Sequence, residues 1–353
     1  MPATIVVGGQ YGSEGKGKVA ALVAQRSDHP WLVRCGGPNS GHTVTVGGRD
    51  VILRQVPCST DPTKPTFCLA AGCAIDVEVL LREVDLLGIE KQRILIDPRA
   101  IIITEEDREV ERLKLKGIAS TCSGTGAALI RRMARDPGTV LAAHSDALRK
   151  RCRVEPVAPM LHDGLHRGAD VIVEGTQGFG LSLLHGFDYP FVTSRDTTAS
   201  AFAAEVGLSP RLISNIVMVI RTFPIRVGGS SGPFPNEITW DEIASASGAP
   251  LSVPELTSVT KKVRRVAKFD LEAVRIACEY NRPSSLAVMG LDRLDYLNTG
   301  VLELAKLTPL ARGFLNRLET VTGVPVTLVG TGFSTHETIK ISPELNETAL
   351  AHA

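Results

Sequence analysis

The stretch Ala3 to Lys18, ATIVVGGQYGSEGKGK, decides the fold. Its β-branched apolar start predicts a buried strand. The eleven residues from Gly8 to Lys18 then hold five glycines and two lysines. Glycine lets a backbone turn tightly and bring successive N–H groups up to an anion. The run therefore reads as a strand entering a phosphate-cradling turn, with a helix from about Lys18 to Gln25. Gly12 to Lys18 (GSEGKGK) meets the spacing G-x-x-x-x-G-K, but Val19 stands where a Walker loop carries the Ser or Thr that holds Mg²⁺. This is a phosphate loop of another kind.

Outward from that loop, apolar runs alternate with stretches of helical period. Strands are predicted at IVV, LVRC, RILI, AIII, DVIVEG, NIVMVI, SLAVMG and VPVTLVG, with a hairpin at TVTVGGRDVIL. Helices are predicted over 76–87, 105–115, 127–135, 198–206, 270–280 and 310–321. Alternation of this kind gives an α/β fold, a mostly parallel central sheet flanked by helices. No low-complexity linker or internal repeat divides residues 1–353, so one domain is expected. Glycine-rich breaks follow the strands at GGQYGSEGKG, CGGPNSGH, EGTQGFG, GLD and GTG. Ligands of open α/β sheets sit beyond the carboxyl ends of the strands, so these breaks should converge on one crevice.

Composition narrows the function. The formal net charge of the 353 residues is +1, too small for a bulk field that would collect nucleic acid or a membrane surface. The basic run Lys261 to Arg265 is then a local site candidate, set against an ordinary solvated helix edge. A hydrophobic fraction of 43% supports a large core. Seven cysteines without C-x-x-C spacing, and no signal-like apolar stretch after Met1, point to a reduced cytoplasmic protein. No apolar run approaches membrane-spanning length. Cys68 and Cys73 read as small buried hydrophobes in preference to metal ligands.

The loop GSEGKGK, together with Arg34-Cys-Gly-Gly-Pro-Asn-Ser-Gly-His42-Thr43, closely resembles the signatures of the adenylosuccinate synthetase family, the second with one residue fewer after the arginine. A histidine after glycines is by itself an ordinary loop residue, and it gains weight only beside the first motif. In that family a nucleoside triphosphate phosphorylates O6 of a purine nucleotide, and the amine of L-aspartate then displaces phosphate at C6. Phosphoryl transfer needs charge neutralisation and alignment more than covalent help. The resemblance implies that Lys16, Lys18 and the amides of Gly12, Glu14, Gly15 and Gly17 hold the triphosphate with Gly41 and Thr43. It implies further that His42 acts as an acid near the transferred group, and that Ser13 and the Gly41 carbonyl hold Mg²⁺.

Further matches run along the chain. Ser120-Thr121 sits where the family holds the 5′-phosphate, with Asn39 beside it. Arg135 falls where an arginine reaches the neighbouring subunit's site, implying a homodimer. VEGTQG places Gln177 against the purine, and YPFVTS contributes Thr193. The stretch Ser258-Val259-Thr260-Lys261-Lys262-Val-Arg264-Arg265 lies where a loop closes on aspartate, with Lys262 in place of one arginine. Forked guanidinium groups such as Arg264 and Arg265 suit a dicarboxylate. Gly330-Thr331-Gly332 resembles a contact to the base of the triphosphate, to which Arg264 also belongs.

Two departures redirect the expected chemistry. Gly290-Leu291-Asp292 replaces a K-L-D motif that grips guanine, so ATP or dATP becomes a donor candidate beside GTP. At position 13 the family carries an acid that takes the N1 proton of IMP. A serine is shorter and uncharged, makes room for a 2-amino purine, and leaves the N1 proton to water or Glu14. These consequences match the phage branch of the family, which joins aspartate to dGMP on the route to 2-aminoadenine DNA. The expected partners are thus dGMP, L-aspartate and a triphosphate, with IMP and GTP as the alternative.

Overall fold

A computed structural model describes residues 3–115, 117–257 and 261–341. Ten strands form one sheet, in the spatial order Thr338–Lys340, Val326–Gly330, Ser285–Met289, Ile213–Arg221, Ala3–Gly8, Val171–Glu174, Trp31–Arg34, Thr66–Leu69, Ile94–Ile96 and Arg153–Val154. Every neighbouring pair is parallel except the edge pair that Thr338–Lys340 makes with Val326–Gly330.

Strands covered on both faces read as continuous apolar runs rather than alternating ones, and Ala3–Gly8 shows why. Ile5 and Val7 pack on one layer with Phe202 and Val206. Val6 faces the other, with Val19, Ala20 and Val23. All are 7% exposed or less. The chain leaves this strand through the glycine turn and enters the helix Lys16–Ala24, every residue of which is buried. A helix this short and this buried gains its stability from packing rather than from propensity.

The expected helices form with bounds shifted by one or two residues. Val77–Leu86 is capped by Asp76, and Glu105–Lys114 opens on a Thr104/Asp107 capping box. The hairpin forms as His42–Val46 against Arg49–Leu53. The AIII run gives only the short strand Ile101–Ile102, paired with Ala74–Ile75 outside the main sheet. Sequence periodicity missed the strands Thr66–Leu69, Arg153–Val154 and Thr338–Lys340 and the helices Val157–His166 and Trp240–Ser247, which are too short or too mixed in composition to carry a clear period. The structure also removes the lesser reading of Lys261 to Arg265. That run is no helix edge: Lys261 and Lys262 lie in irregular chain, and Arg265 opens the strand Arg265–Ala267 of a separate three-stranded sheet. All seven cysteines carry free thiols, six of them buried. Among the described residues no helix is long and apolar enough to cross a membrane.

Candidate active site

The central strand Ala3–Gly8 has Val171–Glu174 on one side and Ile213–Arg221 on the other. Loops leaving the carboxyl ends of these strands and of Trp31–Arg34, Ser285–Met289 and Val326–Gly330 border two adjoining hollows. The first is lined by the phosphate loop with Lys18, Gly290, Asp292 and Phe333. The second is lined by Tyr11, Asn39, Thr121, Gln177 and Arg226. Five residues line both: Ser13, Lys16, Gly41, His42 and Arg264.

The phosphate loop is held from within. Ser13 has φ 57 and Gly15, at the helix start, φ 108. The Glu14 carboxylate accepts from the N–H groups of Gln10 at 3.1 Å and Gly12 at 2.9 Å, and from Lys16 Nζ at 2.6 Å. A Cβ on Gly178 would lie 2.2 Å from that carboxylate, so only glycine leaves it room. Glu14 is therefore a strut of the loop, and the expectation that it stands in for a base at N1 fails because its oxygens are spoken for. Lysines are almost never buried without cause, yet Lys16 is 2% and Lys18 6% exposed. Lys18 donates to the carbonyls of Gly332 at 3.1 Å and Glu337 at 3.4 Å. Burial pushes it down to about 8.

His42 opens its strand with Nδ1 2.5 Å from Glu174 Oε1, and Arg34 pairs with the same oxygen. Arg34 and Glu174 are opposite residues at the ends of parallel strands. Burial works to raise Glu174, but Arg34 and the His42 contact outweigh it and hold the carboxyl at about 2. Burial, with Arg34 beside it, pushes His42 down to about 4. The resting imidazole is thus neutral at pH 7, and the expected acid form is not the form the free protein holds. His42, Cys58 and Glu174 bring ligating atoms within 4.8 Å of one another. The Arg34 guanidinium already neutralises this cluster, and the Cys58 thiol is pushed far up by burial, so it is an ion-pair site and not a metal centre.

The remaining expected residues divide. Glu14, Gly15, Gly17, Thr43, Gly290, Asp292 and Gly332 line the first hollow, and Gly12, Asn39, Thr121, Gln177 and Lys262 the second. Thr193 lines a third hollow, which continues from the second through Asn39, Thr121 and Gln177. Leu291 is wholly buried in the core, and Thr331 is buried with Oγ1 donating to the Val301 carbonyl at 2.8 Å; neither they nor Gly330 reach the hollow. Arg265 turns away as well, its guanidinium on Glu237 at 2.6 Å and on the Gly232 carbonyl at 2.7 Å. Lys261 is exposed and lines none of the three. Ser258, Val259 and Thr260 lie outside the described residues. Arg135, at φ 55, is exposed on the surface just beyond Thr125–Met133.

Sequence reasoning passed over Glu174, Arg221 and Glu255. Arg221 forks onto Glu255 and reaches the Ser13 carbonyl at 3.4 Å, tying the chain before Arg264 to the phosphate loop. A signal existed for Glu174, since an acid ending the apolar run VIVE requires a buried cation. None existed for the partnership of Arg221 and Glu255.

Comparison with known proteins follows the same lines. A family described as adenylosuccinate synthetase matches residues 5–154 and 139–302. The adenylosuccinate synthetase of Methanocaldococcus jannaschii is 41% identical over 353 residues, covering 98% of each chain. That of Pyrococcus horikoshii is 38% identical over 338 residues, covering 94% of this chain and 96% of its own. Among solved structures, a fully ligated adenylosuccinate synthetase from Plasmodium falciparum superposes with a TM-score of 0.86 at 19% identity, covering 97% of this chain and 100% of that one. The succinoaminodeoxyadenylate synthetase of cyanophage S-2L, bound to dGMP and to dATP as energy donor, superposes with a TM-score of 0.80 at 27% identity, covering 99% and 98%.

Proposed function

Because this chain belongs to the adenylosuccinate synthetase family, we propose that it holds a nucleoside triphosphate in the first hollow and a 6-oxopurine nucleotide in the second, and joins L-aspartate to C6 of the purine. It is a carbon–nitrogen ligase. The shared wall carries the reading: a terminal phosphoryl group entering from one hollow and a purine O6 from the other meet at Ser13, Lys16, Gly41, His42 and Arg264. Two cations there offset the charge that develops in transfer, and the loop amides align it. O6 so phosphorylated is a better leaving group than the bare oxygen: the aspartate amine attacks C6, the C6–O6 bond breaks and O6 departs within inorganic phosphate. Arg264, with Lys262, draws in the aspartate carboxylates.

Mg²⁺ fits this wall. The carboxylate of Glu14 is already taken, whereas the Ser13 hydroxyl and the Gly41 carbonyl are neutral oxygens on the shared face. A small hard cation that keeps its waters and takes phosphate oxygens needs no more from the protein. When bound it would neutralise charge on the triphosphate.

Residue 13 supports dGMP as the acceptor. A hydroxyl there leaves space and no negative charge beside the C2 edge of the purine, where guanine carries its amino group. The cyanophage neighbour, whose structure holds dGMP and dATP, agrees with that and with an adenine donor. A second reading, IMP with GTP, is favoured by the archaeal relatives, all named adenylosuccinate synthetase at 36–41% identity. That is the stronger sequence likeness. Arg135 and its exposed neighbours Ile130 and Met133 suit contact with a second copy of the chain. The deciding experiment offers dGMP, GMP and IMP with aspartate and each of ATP, dATP and GTP, and identifies products by mass. Product from dGMP supports the first reading, and product from IMP alone the second. Absence of aspartate-dependent phosphate release under every condition removes the ligase reading.

A further inference from the structure

Glu174 touches neither hollow, yet it is wholly buried behind His42 and every contact of its carboxylate is with a donor. Oε2 accepts from the N–H of Cys58 at 2.7 Å. Oε1 takes Arg34 and lies 2.5 Å from His42 Nδ1. Arg34 is fixed in turn, its other terminal nitrogen reaching the carbonyls of Ser40 and Arg54 at 3.4 Å. The carboxylate thus has no freedom to follow the ring, and the ring has to follow the carboxylate.

The close contact between Arg34 and Nδ1, also 2.5 Å, offers a competing arrangement in which Nδ1 accepts from the guanidinium. The two cannot coexist, because Nδ1 has either a proton or a free lone pair. A carboxylate oxygen only accepts, so a bare Nδ1 at 2.5 Å would set one lone pair against another. Arg34 Nη1 carries two hydrogens and keeps one on that oxygen in either arrangement, so the lone-pair clash decides between them. The proton therefore belongs on Nδ1, shared toward Glu174.

We propose that Glu174, braced by Arg34 and the Cys58 amide, is a positioning residue that holds a proton on Nδ1 of His42 and fixes the rotation of the ring, so that Nε2 is the nitrogen left for the wall between the hollows. This rests on the reading of that wall as the place of phosphoryl transfer, and it gives the role of His42 a direction. Whatever proton His42 exchanges with a substrate then passes through Nε2, because Nδ1 is committed to Glu174. Orientation by a buried carboxylate is known to matter for imidazoles that work on one side only.

¹⁵N spectra of histidine-labelled protein, with the His42 signals assigned by their loss in His42→Gln, report the tautomer without any substrate. They therefore stay valid even if the ligase reading fails. The expected result is a protonated Nδ1 in the unsubstituted chain. In Glu174→Gln the tautomer should become mixed or reversed, with kcat falling about 10²-fold or more and KM for either nucleotide within about threefold. A bare Nδ1 in the unsubstituted chain would overturn the proposal in favour of Arg34 as the partner. An unchanged tautomer and kcat in Glu174→Gln would overturn it too. Should Glu174→Gln not fold, the spectrum of the unsubstituted protein decides alone.

Discussion

Ser13 puts a hydroxyl at the meeting of the two hollows, and a hydroxyl orients a base edge without drawing a proton from it. Ser13→Asp restores a carboxylate that would crowd a 2-amino group while supplying a base for N1. The ratio of kcat/KM for dGMP to that for IMP should fall, and an unchanged ratio would place discrimination elsewhere. His42→Ala should leave calorimetric binding of both nucleotides nearly intact while cutting turnover by roughly 10²-fold or more; normal turnover would remove the imidazole from the chemistry. Lys18 brings in pH. Burial holds it at about 8, below the ordinary lysine range, so the folded protein binds fewer protons than the unfolded chain once pH passes 8. This lysine therefore costs stability at neutral pH, and stability regained from it rises with pH above 8. Triphosphate binding runs the other way. Phosphate charge favours the protonated amine, so binding above pH 8 must take up a proton. Affinity for ATP should weaken about tenfold between pH 7 and pH 9, with the loss abolished in Lys18→Arg. Calorimetry across that range would show a flat profile if Lys18 stays clear of the phosphates.

At the scale of elements, the helix Lys16–Ala24 carries two charged residues into the crevice wall while burying its whole length. Gly17 is what permits this, since a Cβ there would lie 2.6 Å from Cys58 Sγ and 2.7 Å from His42 Cβ. Alanine in a helix interior ordinarily gains about 1 kcal/mol over glycine. Overpacking a well-filled site costs about 1–3 kcal/mol, so the clash should win. Gly17→Ala is expected to lower Tm and, by displacing His42, to lower kcat more than KM. A rise in Tm would mean that the hairpin starting at His42 yields without loss. The element was legible because its signals are local: an apolar run, a glycine turn and a helix within about twenty residues. The small sheet bearing Arg265 was not, because two- and three-residue strands have no period to read.

Over the whole molecule, the donor site gathers Lys18 from the first helix, Gly290 and Asp292 from beyond the strand Ser285–Met289, and Phe333 from beyond Val326–Gly330. Glycine at 290 leaves a wider, neutral slot than a lysine stem would, and the exposed Phe333 ring offers a face for any purine. ATP or dATP should then support turnover at least as well as GTP when the two compete at equal concentration. Accumulation of GDP instead would show that Asp292, raised by burial, governs the choice. Sequence by itself determined the parallel α/β sheet and the phosphate loop, because apolar runs and glycine turns act over short spans, and its resemblance to the family's signatures implied most of the residues expected around the two hollows. Only the tertiary structure decided which way the side chains point and which charges meet. Arg34 finds Glu174 across 140 residues, and Arg221 finds Glu255 across 34. Leu291 goes to the core and Arg265 to Glu237. Those pairings follow from strand register and from how the loops pack, and a buried charge takes whichever partner the completed sheet brings within reach.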